Sequence, residues 1–538
     1  MKYFTYPCGC KFTVSDENSK SINFNPKIEE LNLECSRTWD LISDGNTKGC
    51  FQLESRLGRT MAKKLKPENI EQLSALIAIV RPGCLEAMRD GKSVSNHYID
   101  KKNGNESIDY FHESLEPILK TTYGEMVYQE QAMEIAKSIA GFNLQEADML
   151  RKAIGKKKAE EMSRVKQKFL VGARACNIVT DTQAEEIFGW IEKSQRYSFN
   201  KSHSVSYAIN AYLSAYSKAH FPKVFFASYL RFAKDKIDPQ QEIKELIQNA
   251  GEMDIDVNPP DIRLLNDLFC LKDGSIFFGL TDIKGVGGSV FEKLKTVIRE
   301  SKIDLYKAKW EEILFTVLLN INSTAAKALI SCGALRFLKN KTRNAMLYDL
   351  TIASKITARE IKMLEPLIPK CKNLLELIDF LLSQKINKRR MESIVELRRS
   401  LASPPFSLSD SAEWIADNED ALLGYSITCS KIDMYDISMT NCTCRDFKNG
   451  NCPNTIILAG EIDRVHTVKT KKGNSKGMDM GFISLSDSTG NLDSIICFAE
   501  QYREYKNALF EGNVVIVKGK RSNAKDGLIV EKIFLPSS

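Results

Sequence analysis

The sequence predicts a multidomain α+β protein that is mainly helical and closes on a small β-barrel. Two patterns carry this. Within residues 49–250, apolar side chains recur at three-to-four spacing in ENIEQLSALIAIV, QAMEIAKSIAGF and QAEEIFGWIEK, the period of amphipathic helices. After Asn454 the period becomes alternation, in TIILAGEIDRV, MGFISLSD, LDSIICF, VVIVKGK and LIVEKIF, as expected of half-buried strands. Size adds a third argument, because 538 residues with 43% hydrophobic content exceed one core and imply three or four domains.

Residues 1–47 read as a leader or remnant ahead of a helical domain spanning 48–253. Their opening, MKYFTYPCGCKFTV, is broken by polar residues and cysteines. With no apolar run of about 18 residues anywhere, no membrane association and a cytoplasmic location are expected. Near 254–276 the helical period is lost and Pro259-Pro260 bars a helix, which marks a boundary. The unit 254–338 then carries a short strand, SIFFGL, a glycine-rich turn, DIKGVGGS, and two or three helices. Residues 339–453 are helical and polar, with a cysteine cluster near their end. In 454–538, five strands with the short helix AEQYREYK before the fourth give the order of an OB-fold barrel, a fold that commonly binds single-stranded nucleic acid.

The net charge of +7 is a mild bias toward polyanions, since 76 basic residues are nearly matched by 69 acidic ones. The fourteen cysteines, without a secretory signal, are expected to be reduced thiols. Two clusters stand apart. Cys442, Cys444 and Cys452 offer three ligands for a structural zinc ion, with Cys429 a candidate fourth. Cys8 and Cys10 would need partners from elsewhere in the chain.

Two stretches carry the candidate chemistry. In GFNLQEADMLRKAIGKKKAEEM, residues 141–162, a helix places Arg151 and Lys158 seven apart on one face with Gly155 between them, and Lys152 and Lys156 on the adjacent stripe. That face suits phosphate; it equally suits a solvated stripe countered by Glu160 and Glu161. In RYSFNKSHSVSYAINAYLSAYSKAHFP, residues 196–222, Lys201 and His203 stand among serines at a helix start, where free N–H groups favour an anion. The alternative there is a core of aromatics, Tyr197, Phe199, Tyr207 and Tyr212, with His203 an exposed cap residue.

The motifs GCFQLES (49–55), RPGCLEA (81–87), YFHESLEPIL (110–119), TYGEMVYQEQAM (122–133), DMLRKAIGKKK (148–158) and YSFNKSHSVSYA (197–208) resemble, in order and spacing, the fingers region of the bacterial DNA polymerase III alpha subunit family. The resemblance continues through PPDI (259–262), FGLTDIKGVG (278–287), ALLGYSITCS (421–430) and the terminal barrel. It implies part of a DNA-directed DNA polymerase for replication, with primer-template DNA and dNTPs as partners. Arg151, Lys152, Lys156, Lys158, Tyr197, Lys201 and His203 match positions that face the incoming nucleotide, His203 assisting catalysis. Glu54, Arg56 and Arg81 match polar positions near the cleft. Lys284, Gly285 and Gly287 match a helix-hairpin-helix turn whose backbone N–H groups approach duplex phosphate. In the barrel, Lys469, Lys471 and Lys472 lie in one basic loop suited to single-stranded DNA.

In that family, palm aspartates holding Mg2+ and a metal-dependent PHP domain lie upstream of FQLES. Here about fifty residues precede it, without an aspartate pair flanked by strand-like residues. The expectation is therefore a split enzyme whose palm and PHP domains lie on a second chain, the isolated chain being inactive. The alternatives are an inactive DNA-binding paralogue, or an RNA- or single-strand-binding barrel protein. Asp254-Ile255-Asp256 has a carboxylate-pair spacing but falls in a turn. The family's clamp-binding peptide has no match between 340 and 450, so a sliding-clamp interaction lacks its expected motif.

Overall fold

The computed structural model describes residues 3–14, 22–23, 28–156, 159–194, 197–470, 475–522 and 527–537. They form two units, Met1–Pro222 and Lys223–Ser538. Among the described residues no helix is long and apolar enough to cross a membrane.

The first unit opens with a hairpin, β1 (Tyr3–Thr5) and β2 (Lys11–Val14), followed by helix α1 (Ser36–Ser43). Two helices make its centre. In α2 (Ile70–Ile79) every residue from Gln72 onward is buried, as an all-round apolar sequence requires. The long helix Lys201–His220 packs beside it, and its Ala208, Ala211, Ala215 and Ala219 are all buried. A second cluster gathers α3 (Gln129–Ala140), α4 (Leu144–Lys156) and the helices Ala159–Cys176 and Asp181–Ser194. The crossing is close: a Cβ on Gly172 would stand 2.1 Å from the Ala140 carbonyl oxygen, so this helix position admits only glycine. We call the Lys201–His220 helix α5.

The second unit begins at Lys223. One buried core runs from Phe226 to Leu423, across both the 253/254 and the 338/339 divisions. The helices Pro222–Phe232 and Pro239–Glu252 contribute to it through Phe226, Leu230, Ile243 and Leu246, although their periodicity read as continuous with the preceding helical domain. Residues 339–453, which carry no recognisable chemistry, are tied in by a buried ion pair. Arg343 Nη2 donates to Glu419 Oε1 at 2.8 Å and its Nη1 to the Ser331 carbonyl at 2.9 Å. Glu419 in turn accepts from the backbone N–H groups of Ile427 and Thr428.

The expected barrel is present and closed. Its strands are β3 (Ile456–Lys469), β4 (Asp479–Asp487), β5 (Gly490–Cys497), β6 (Val514–Arg521) and β7 (Leu528–Phe534), with the helix Ala499–Tyr505 between β5 and β6. The order around the barrel is β4-β5-β7-β6-β3, with β5 and β7 parallel and β3 closing on β4, which is OB topology. The barrel draws residues from before 454: Cys444 and Phe447 lie in its interior, and Ile432 packs with Ala459 and Ile516 on another face.

In the cysteine cluster set apart from the other thiols, Cys442 and Cys452 are joined in a disulfide. Cys444 is buried with its sulfur toward the Leu485 carbonyl, and Cys429 donates to the Ala412 carbonyl. The sulfurs of Cys442 and Cys452 thus face each other, while that of Cys444 faces the barrel core. The leader reading of 1–47 is revised, because Tyr212 Oη donates to the Asn32 carbonyl at 2.6 Å and Trp39 packs on the Tyr212 ring.

Asp282 illustrates how burial shapes the second unit. Burial pushes its carboxyl up to about 6, while the Phe269 N–H, donating to Oδ2 at 3.2 Å, and Lys234 pull the other way. An acid with a folded pKa above its unfolded value of about 4 stabilises the fold at low pH and loses that contribution as pH rises toward 6. Asp282→Asn should remove this slope: the stability difference between variant and wild type, measured by urea titration, should shift in the variant's favour by about 1–3 kcal/mol between pH 4 and pH 7.

Candidate nucleotide and nucleic-acid interface

The first turn of α5 is built by Glu130. Its Oε2 accepts from the Lys201 N–H at 2.9 Å and its Oε1 from Asn200 Nδ2 at 2.8 Å. Asn200 caps the helix, its Oδ1 accepting from the His203 N–H at 2.8 Å. The preceding loop is fixed by backbone bonds from Phe199 N–H to the Val127 carbonyl and from Gln129 N–H to the Phe199 carbonyl. One step further along α5, Ser204 donates to the Ser74 carbonyl at 2.5 Å, and Ser74 meets the Tyr128 hydroxyl at 3.0 Å.

This arrangement corrects the idea of a free helix end. The N–H groups of Lys201 and His203 are already accepted, one of them by a carboxylate, so an anion here would be met by side chains instead. Those side chains are in place. Lys201 Nζ lies 3.2 Å from Glu71 Oε2, with the Tyr128 ring 5.5 Å away. Exposed Arg81 stacks its guanidinium 3.6 Å from the Phe199 ring centre, a cation–π contact. The exposed His203 ring lies between Phe199 at 5.4 Å and Tyr207 at 4.1 Å, and Tyr207 contacts Phe51 of the FQLES motif. Tyr197 is half-buried; burial, then the neighbouring Cys84 and Glu125, push its phenol above the usual tyrosine range, so it remains neutral.

On α4, Ala147, Leu150 and Ala153 face inward, while Asp148, Arg151 and Lys152 are partly exposed. One carboxylate serves both cations. Asp148 Oδ1 accepts from Arg151 Nη2 at 2.8 Å, and Oδ2 lies 2.7 Å from Lys152 Nζ. Those two bonds, the lysine's first, hold the Asp148 carboxyl below its ordinary range. The α4 backbone continues to Lys156, whose side chain lies outside the described residues, as does Lys158. The described hydrogen bonds tie the α4 cations and the α5 cations each within its own neighbourhood.

In the second unit, Ile283–Gly287 leads into helix α6 (Gly288–Ser301). Gly285 has φ +93°, a conformation reserved for glycine, and its turn packs against Thr324 and Ala328 of α7 (Ser323–Ser331). Gly287 has ordinary φ, yet nothing lies within 4 Å of where its Cβ would be, and the same holds for Gly288. The α6 start is thus an uncapped, uncovered backbone. The N–H of exposed Lys284 is used by the Leu422 carbonyl, which leaves its ammonium as the outward group. Gly333, not singled out from the sequence, follows the C-cap of α7 with φ +82°, and a Cβ there would stand 2.6 Å from Arg343 Nη2. In the barrel, exposed Lys469 ends β3; Lys471 and Lys472 lie outside the described residues. Asp254 of the carboxylate pair has φ +56° and its Oδ1 accepts from Arg445 Nη1 at 3.2 Å.

The described residues thus hold a helical unit with paired surface cations, a glycine turn leading into α6 and a five-stranded barrel in OB order. Residues 12–177 match the bacterial DNA polymerase III alpha subunit finger domain, and residues 254–346 match a helix-hairpin-helix motif. The chain is similar to DNA polymerase III subunit alpha of Aquifex aeolicus (32% identity over 98% of this chain and 41% of the relative) and of Borreliella burgdorferi (30%, 96% and 42%). That of Staphylococcus aureus strain MSSA476 matches at 28% identity over 96% of this chain and 44% of the relative. The chain belongs, over the part it spans, to the bacterial DNA polymerase III alpha subunit family. It spans about two fifths of the length of these relatives.

Glu130 was not singled out from the sequence, although it sits in the matched TYGEMVYQEQAM motif; nothing in its type or spacing announces a clasp formed across 70 residues. Glu130→Ala should destabilise the first unit by about 1–2 kcal/mol, because the Lys201 N–H and Asn200 amide lose a charged acceptor. Denaturant unfolding followed near α5 checks this, and Glu130→Gln should recover most of the loss.

Proposed function

We propose that this chain is the nucleotide-holding and DNA-holding part of a replicative DNA polymerase. The observation that carries the reading is the pairing of α4 and α5 cations with carboxylates in a chain that matches polymerase fingers. Arg151 and Lys152 with Asp148, and Lys201 with Glu71, are charges kept at the surface and oriented, each exchangeable for a phosphate oxygen. Lys156 and Lys158 extend the α4 series in sequence. A dNTP triphosphate is the ligand assigned to these side chains, with Arg81, Tyr197 and His203 around it. The α6 turn takes duplex phosphate through uncovered backbone N–H groups and Lys284, and the barrel loop takes the displaced or template single strand.

Attack of a primer hydroxyl on a triphosphate draws on metal ions held by carboxylates. The acidic pair in this chain does not fit that role, since Asp254 occupies a left-handed turn and is engaged by Arg445. The reading therefore takes the Mg2+-holding carboxylates from palm and PHP domains outside these 538 residues. This chain's own contribution is to bind and orient the nucleotide and duplex, with His203 placed to help neutralise charge on the leaving phosphates.

Two outcomes test the proposal. In the reconstituted enzyme, Arg151→Ala should raise the apparent KM for all four dNTPs by about 10-fold or more, the worth of a charged hydrogen bond, without base preference. Asp148→Asn should lower it by a few-fold, since the carboxylate competes with phosphate. Base-selective damage, or no change in both variants, would refute the phosphate assignment. The chain alone should bind primer-template and extend nothing, and a palm-bearing polypeptide should restore extension that depends on Arg151 and His203. Extension by the chain alone that is lost on Asp254→Ala would place the active site at the carboxylate pair instead.

A further inference from the structure

The β1–β2 hairpin, lengthened only by the two residues Ile22–Asn23 paired along β2, is too small a sheet to bury a core of its own. Its turn is tightly wound. Cys10 accepts from the Tyr6 N–H at 2.9 Å, Tyr6 accepts from the Gly9 N–H at 2.9 Å, and Gly9 between the two cysteines has φ +83°. This knuckle brings Cys8 and Cys10 to two residues remote in sequence, Cys35 just before α1 and His220 at the last position of α5. Three sulfurs and one ring nitrogen all lie within 4.8 Å of one another. His220 Nε2 is 3.4 Å from Cys35 Sγ and 4.0 Å from Cys8 Sγ.

The donor set has the chemistry of a metal site. Tetrahedral ligands bound to zinc at about 2.0–2.3 Å stand about 3.3–3.8 Å apart, so these four atoms already surround the volume of one ion. Cys10, Cys35 and His220 are each at most 3% exposed, as in a closed structural site. All three cysteines are free of disulfides although packed together. Cys35 stands at a helix cap position yet makes no side-chain cap bond, and Asn32 Nδ2 donates toward Cys10 Sγ at 3.6 Å, the outer contact that supports a thiolate ligand.

We propose that Cys8, Cys10, Cys35 and His220 bind a structural Zn2+ ion that pins the N-terminal hairpin to the start of α1 and the end of α5. Three thiolates and one imidazole in tetrahedral array select zinc over the oxygen-loving divalent ions. The finger-domain match begins at residue 12, so the Cys8–Cys10 turn lies outside it. The pin holds the helix whose opposite end presents Lys201 and His203.

The full chain, purified without chelators, should carry about one equivalent of zinc by elemental analysis. Exchange with Co2+ should give the visible d–d and thiolate charge-transfer bands of a tetrahedral sulfur-rich site. Cys8→Ser, on the half-exposed turn where folding should survive, should lose the metal and the bands. Cys176→Ser and Cys444→Ser should keep both. Protein that is metal-free and gives no cobalt–thiolate bands, or metal that stays in Cys8→Ser and leaves in Cys444→Ser, overturns the proposal; the cobalt spectrum of the unmutated chain decides the matter if a variant fails to fold.

Discussion

The first unit depends on the polar anchoring of one buried helix. Along α5, from Lys201 to His220, a polar contact recurs at nearly every turn: Glu130 at the first turn, Ser74 at Ser204, the Asn32 carbonyl at Tyr212 and the Phe51 N–H at Ser214. Near its end Lys218, fully buried, donates to the Asn46 and Lys48 carbonyls at 3.0 and 2.9 Å and so fixes the loop that leads into FQLES. An ammonium taken out of water is tolerated only when its donors are satisfied, so this loop and helix are positioned together. Apolar packing alone would leave the helix free to slide; directional bonds set its register.

That rigidity matters because the outward cations are not. Arg151, Lys152 and Lys201 are partly exposed and share carboxylates in geometry typical of surface pairs, each worth little in stability. In the proposed function their value lies in what they can exchange. A carboxylate holds a cation in place and limits unspecific attraction of polyanions, and a multiply charged phosphate can outcompete it. A scaffold with strong internal anchors and weak external pairs is suited to admit a ligand without refolding.

Much of this was legible in the sequence, for identifiable reasons. The barrel strands declare themselves by alternation from Ile456 onward, and the helix start at Lys201 by its Asn-Lys-Ser-His opening, because both signals are local. Gly285 was legible from the glycine spacing of DIKGVGGS, and its left-handed φ is what the turn requires of it. What was not legible depends on distance in sequence: Glu130 reaching Asn200, Cys35 reaching His220 across 185 residues, and Arg343 reaching Glu419 across 76. The Cys442–Cys452 bond escaped for a different reason, since close cysteine spacing reads equally as metal ligands or as a pair. The helix-hairpin-helix match begins at 254, yet Pro222–Phe232 and Pro239–Glu252 before it share its core, because periodicity does not say which core a helix joins.

Carboxylate-paired lysines on α4 and α5 are proposed to receive the phosphates of a nucleotide. Lysine acetylation footprinting by mass spectrometry, on the chain with primer-template, reads this at each side chain. Lys152 and Lys201 should lose reactivity when a dNTP is added and regain it when the nucleoside without phosphates is used, while Lys295, paired with Glu292 on α6, stays unchanged. Equal reactivity of Lys152 and Lys201 with and without the triphosphate would contradict the account.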